Sequence, residues 1–102
     1  MLVRVVQLDI QEEQIQLFLE LYSAHQQKIS QFEGCISLQL LQEDANLNHV
    51  ATLSHWATEK DLNRYRNSDF FKALWTKVKP LFASPAKAFS YHIYTPIHET
   101  YG

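Results

Sequence analysis

Thr52, Ser54 and Trp56 share one face of the extended run HVATLSHW, with Ala51, Leu53 and His55 on the other. A tightly filled interior would place larger apolar side chains where Thr52 and Ser54 stand. Two small hydroxyl residues beside an indole instead suit a cavity edged by a few hydrogen-bonding groups. The alternative is a strand that ends in a core tryptophan. Two other segments could supply chemistry to such a cavity. His25 keeps register with Ile15, Phe18, Tyr22 and Ile29 on a helical spacing. It is therefore either a structural histidine or a general base able to take a phenolic proton near neutral pH. Tyr65, Phe71, Leu74 and Trp75 follow at the spacing of any buried helix, and as cavity walls they would stack on a flat aromatic substrate and exclude water.

Other chemistries lack their residues. His49 and His55 lie on one strand face but about 20 Å apart at roughly 3.3 Å per residue, and His92 and His98 add no ligand spacing. No HExxH or paired CxxC motif occurs, so no metal is expected. Gly34 and Gly102 are the only glycines, which leaves no glycine-rich phosphate loop for a flavin or nicotinamide. Cys35 is the sole cysteine, has no activating partner in the sequence and is expected to be buried; a chain with no internal disulfide fits a reducing compartment.

The net charge of -2 gives no general call for nucleic acid or membrane. The charge is uneven: residues 1–51 hold seven acids and two bases, residues 52–102 four acids and seven bases. Six of the nine bases lie between Lys60 and Lys79, which reads as a solvated helix face or as a hold on an anionic ligand, with Lys72, Lys77 and Lys79 at its mouth. The opening run MLVRVVQLDI is too soon interrupted for a secretory segment, and nothing approaches the roughly 18 apolar residues of a membrane span. A cytoplasmic protein is expected.

The elements that must hold these side chains can be read along the chain of 102 residues, whose length suits one domain. Leu2 to Ile10 is β-branched and predicts a strand with Leu2, Arg4, Val6 and Leu8 on one face and Val3, Val5 and Gln7 on the other. Asp9 is a candidate helix cap before an amphipathic helix from Glu12 to about Gln31. Gly34 serves an exit turn. Cys35–Gln42 and the run from His49 to Trp56 predict a hairpin. Thr58, with Asp61 three residues on, caps a second helical segment, which Asn67 or Ser68 recaps and Pro80 ends. Ala88 to Tyr94 is the last strand. The order βαββαβ is the α+β, ferredoxin-like pattern: a four-stranded antiparallel sheet with both helices on one face. Residues 1–95 form the domain and 96–102 a tail. Because both faces of the first three strands carry Val, Leu or Ile, a second copy packed sheet to sheet is expected, hence a homodimer.

The segments FEGCISLQLLQ and SHWATEKDLNRYRNSDFFKALWTKVKPLF resemble the antibiotic biosynthesis monooxygenase (ABM) domain family across about residues 2–94. There a strand ends in tryptophan (Trp56), a short helix brings an aromatic (Tyr65) and S-x-x-F (Ser68 to Phe71) opens another helical piece. The resemblance implies a dimeric α/β barrel of ferredoxin-like subunits, with a pocket between helices and sheet. It further implies a cofactor-independent monooxygenase that oxidises a small phenolic or quinol-type compound with O2. Trp56, His25 and Tyr65 would then be the catalytic set, and Thr52, Ser54, Phe71, Leu74 and Trp75 would hold substrate. Haem-degrading members need a histidine where Trp75 stands and an asparagine on the first strand, which here offers Gln7, so haem degradation is not expected. A non-catalytic dimeric ligand-binding protein and a small-molecule isomerase of the same fold stay open.

Overall fold

The first strand, β1 (Leu2–Asp9), runs through the middle of the sheet and decides what the rest can do. In the computed structural model, which describes residues 1–100, the elements follow as α1 (Ile15–Ser30), β2 (Cys35–Gln42), β3 (His49–Trp56), α2 (Glu59–Arg66), α3 (Asp69–Val78) and β4 (Lys87–His92). The sheet order is β2-β3-β1-β4 with every pairing antiparallel, the ferredoxin-like arrangement.

Several expected boundaries shift for local reasons. The first helix opens with a separate 3-10 turn, Glu12–Gln14, before α1. Asp9 does not cap it: its carboxylate accepts from Ser84 Oγ at 3.2 Å and sits 3.0 Å from His49 Nε2. Pro80 lies within a closing 3-10 turn, Lys79–Leu81. The last strand begins at Lys87 and ends at His92, two residues short of Tyr94. Of the expected tail, residues 101–102 lie outside the described residues.

The other caps form as the sequence asks. Thr58 Oγ1 accepts from the Asp61 backbone N–H at 3.1 Å and donates to the Asp61 carboxylate at 2.8 Å. Ser68 Oγ accepts from Phe71 N–H at 3.1 Å, which restarts the chain as α3. Gly34 takes φ +84°, and a side chain there would collide with Asp61, so the turn into β2 needs glycine twice over.

Register places cross-strand neighbours in rows on the helix-covered face. Leu40, Thr52, Val6 and Ala88 form one row; Leu38, Ser54, Arg4 and Ser90 form the next. In these middle rows Thr52, Ser54, Ala88 and Ser90 are small, whereas the buried Leu2 and Trp56 stand beyond one row and Leu8 and Val50 beyond the other. The buried core accordingly divides in two. One cluster holds Leu8, Ile10, Phe18, Val50, Val78 and Leu81; the other holds Leu2, Trp56 and Leu62, packed by Phe32, Cys35 and Tyr65. Between them lies a cavity.

Candidate active site

The cavity has a volume of about 510 Å3, in the range of small-molecule sites. Its floor is the pair of middle rows, where Thr52, Ser54 and Ala88 leave room that larger residues would fill, with Ala86 just ahead of β4. Its roof comes from the helices: Phe18 and Tyr22 on α1, Leu62 and Tyr65 on α2, and Phe71, Leu74 and Trp75 on α3.

The aromatic residues of the roof form a continuous ladder. Trp56 stacks on Tyr65 with centroids 5.2 Å apart and planes 22° apart, and Tyr65 meets Phe71 edge-on at 5.1 Å. Phe71 stacks on Trp75 at 5.7 Å, and Trp75 meets Phe82 edge-on at 5.4 Å. Each ring fixes the next, so the ladder is a stiff wall joining the two halves of the core.

Trp56 borders the cavity from behind this wall: the residue is 0% exposed. Its indole N–H donates to Ser54 Oγ at 2.9 Å, and Ser54 is itself buried. The small hydroxyl at position 54 thus satisfies a buried donor that would otherwise cost about 1–3 kcal/mol. The polar residue read from sequence as a cavity edge serves the tryptophan first.

Three weak acids gather around this end. Burial, then Cys35 and Tyr22, push the Tyr65 phenol far above its usual range. Burial, then Cys35, pushes Tyr22 up, and burial raises the half-buried Cys35 thiol. All three stay protonated at neutral pH, so none of them serves as a base. Tyr22 also lines the cavity with its hydroxyl buried and without any protein partner. An orphaned polar atom of this kind needs water or a ligand.

His25 is the sequence-predicted site residue that the fold sets apart. Its ring lies 5.9 Å from Phe70 and its Nδ1–H donates to the Leu21 carbonyl at 2.7 Å, one turn back. It does not line the cavity, although Phe18, Tyr22 and Ile29 from the same face do. Phe70 at the start of α3 packs against that part of α1, with Lys28 Nζ 4.8 Å from its ring centroid. The expected base is therefore not in place, and no histidine or carboxylate lines the cavity among the described residues. Trp56, Tyr65, Thr52, Ser54, Phe71, Leu74 and Trp75 all come together around it.

Sequence reasoning missed Tyr22, taken only as part of an apolar helix face, and two arginines. Arg4 and Arg66 line the cavity with Asn63 and Asn67. Arg4 was visible as the one charged residue in the set Leu2, Arg4, Val6 and Leu8. Lys72, Lys77 and Lys79, expected at the mouth, are exposed on α3 and the turn after it and do not line the cavity.

The family model for antibiotic biosynthesis monooxygenase matches residues 1–76. The chain belongs to that family. The match runs from β1 into α3, so it takes in most of the cavity and stops short of Ala86 and of β4 with Ala88. Solved structures extend the likeness over the remainder. A protein from Deinococcus radiodurans described as a "putative antibiotic biosynthesis monooxygenase" superposes with a TM-score of 0.89 at 16% identity, covering 98% of this chain and 99% of that one. A conserved protein from Methanosarcina mazei Go1 gives 0.83 at 25% identity, over 88% and 90% of the two chains. A corresponding protein from Nitrosomonas europaea gives 0.86 at 17% identity, over 93% and 100%. No curated protein matches the chain. At these identities the solved structures establish the ABM fold, and the chemistry has to be argued from the residues.

Proposed function

We propose that this ABM-family protein is a monooxygenase that oxidises a small phenolic or quinol-type aromatic compound with O2, without metal or flavin. The observation that carries the reading is the cavity of about 510 Å3 walled by the aromatic rings of Tyr65, Phe71 and Trp75. A flat ring fits against the Tyr65–Phe71–Trp75 ladder, and the Tyr65 phenol, held neutral, is the donor offered to an ionised substrate oxygen.

The chemistry runs through the substrate. The phenol loses its proton to water, since no histidine or carboxylate among the described residues lines the cavity. The phenolate gives one electron to O2, and the phenoxyl–superoxide pair recombines at a ring carbon that bears hydrogen. The hydroperoxide then loses water to leave a quinone. One oxygen atom of O2 ends in the product and the other in water, and the substrate supplies all four electrons. The protein orients the ring and keeps bulk water from the radical pair.

Oxygen-uptake assays over hydroquinones and naphthols test this: turnover on at least one is expected, and none above the uncatalysed rate would sink it. With no histidine in the cavity, kcat/KM should climb with pH toward the substrate's own phenol pKa, with no inflection near 6.5. The lack of a base favours a second reading, a ligand-binding protein without turnover. Tight binding with no oxygen uptake would establish that one.

The working form is a homodimer in the cytoplasm. The uncovered sheet face presents Val3, Val5, Leu53, Phe89 and Tyr91, with Phe89 and Tyr91 41% and 54% exposed, and a second sheet would cover it. Light scattering at micromolar concentration should give the dimer mass; a monomer would refute it. No helix among the described residues is long and apolar enough to cross a membrane.

A further inference from the structure

Arg64 and Arg66 stand two residues apart on α2 and meet opposite fates. Arg64 pairs with Glu33 at 2.7 Å and with Asp61 at 3.3 Å. Arg66 lines the cavity and has no carboxylate within ion-pair distance among the described residues. Arg4 reaches the same cavity from the centre of β1, where charge is uncommon on an inward strand face. Its one side-chain partner among the described residues is Ser90, whose Oγ accepts from Nη1 at 2.9 Å. Ser54, its other neighbour in the row, is engaged by Trp56. Most of the Arg4 donor fork is thus unused.

A helix-end role accounts for Arg66 alone, since it ends α2 where a cation is favoured. It does not account for Arg4, a strand residue held half-buried toward a second positive charge. Burial first, and then Arg66, push the Arg4 guanidinium below its usual pKa, so both conditions act against its charge. An anion between the two would relieve both. Arg4 and Arg66 are the only charged side chains that line the cavity among the described residues, and Asn63 and Asn67 border the same end.

We infer that this end of the cavity is a carboxylate subsite, and that the substrate is an aromatic acid whose carboxylate sits on Arg4 and Arg66 while its oxidisable ring lies along the aromatic ladder. A guanidinium fork matches a carboxylate in plane, and two of them select the acid over its neutral analogues. The inference rests on the cavity being the substrate site proposed above. It goes further in assigning the substrate a charge.

The test compares hydroquinone and naphthohydroquinone carboxylates with their carboxamides, which match them in shape but carry no charge. Binding is measured at neutral pH without oxygen, by quenching of tryptophan fluorescence. On at least one ring the acid should bind about tenfold or more tighter than the amide. Arg66→Gln should remove most of that preference, and Arg4→Gln the same if it folds. Arg64→Gln, outside the cavity, should leave it intact. Equal binding of acid and amide, preferential binding of the amide, or binding of neither overturns the inference, as does a preference that survives Arg66→Gln. Oxygen uptake is read separately. Acid-selective binding without oxygen consumption keeps the subsite and fails the monooxygenase, and oxygen consumption without charge preference does the reverse.

Discussion

The two halves of the core are built for different tasks. The buried residues of the cluster around Leu8, Phe18, Val50 and Val78 are all apolar and draw on α1, β1, β3 and α3, with Tyr22 and Trp75 packed at its margin. The cluster around Trp56 is smaller and mixes its apolar area with an indole N–H, a phenol and a thiol. The buried centre of the first contributes by apolar packing. The second has to satisfy polar groups as it packs, and it borders the end of the cavity where the arginines stand. A domain of this size commonly has one contiguous core. Dividing it leaves room for a ligand, with stability concentrated on one side and recognition on the other.

Substitutions on the two sides should separate these tasks. Phe18→Ala removes a ring that is only 3% exposed in the apolar half and should cost about 3–5 kcal/mol in denaturant unfolding, the largest effect expected. Trp56→Phe, in the other half, keeps most of the ring but strands the buried Ser54 hydroxyl, and should cost about 1–3 kcal/mol. Adding Ser54→Ala to it should recover part of that loss; no recovery would mean the pair's hydrogen bond contributes little.

Tyr22→Phe should act in the opposite sense on stability. It deletes the buried, unpartnered hydroxyl, so the protein should gain about 1 kcal/mol in denaturant unfolding. A loss of stability would show that the hydroxyl is structural. The raised phenols predict an alkaline limit as well. Above the ordinary tyrosine pKa of about 10, Tyr65 ionises in the unfolded chain and not in the folded one. The unfolded state then binds fewer protons, so stability should fall as pH rises past that point, and Tyr65→Phe should blunt the fall. The smallest effect is expected at His25. Its replacement by Ala should leave turnover within about twofold and cost under about 1 kcal/mol, the worth of its one bond to Leu21. A hundredfold loss of turnover would restore it as the base.

Alternation and capping carried most of the fold. β2 and β3 run from Cys35 to Gln42 and from His49 to Trp56 because period-two patterning and flanking turn residues define them locally. Thr58 and Ser68 are caps that can be read without tertiary information. Asp9 misled because a better partner, His49, arrives from forty residues away. His25 misled for a similar reason. Helical spacing fixes the direction of a side chain but not what covers it, and Phe70 comes from another helix. Arg4 was legible as an anomaly on an inward face. Arg66 was not, because on a basic helix only the location of carboxylates distinguishes it from Arg64.

The pleat of β1 has a consequence for how this protein can change. Arg4 and Val6 look into the cavity, while Val3 and Val5 look out through the bare face of the sheet. Inserting or deleting one residue ahead of Arg4 would exchange the two sets, sending the guanidinium outward and a valine into the ligand site. Viable length variants among relatives should therefore avoid this strand, or change it by two residues at a time, while the connection between β2 and β3 is free to vary by one.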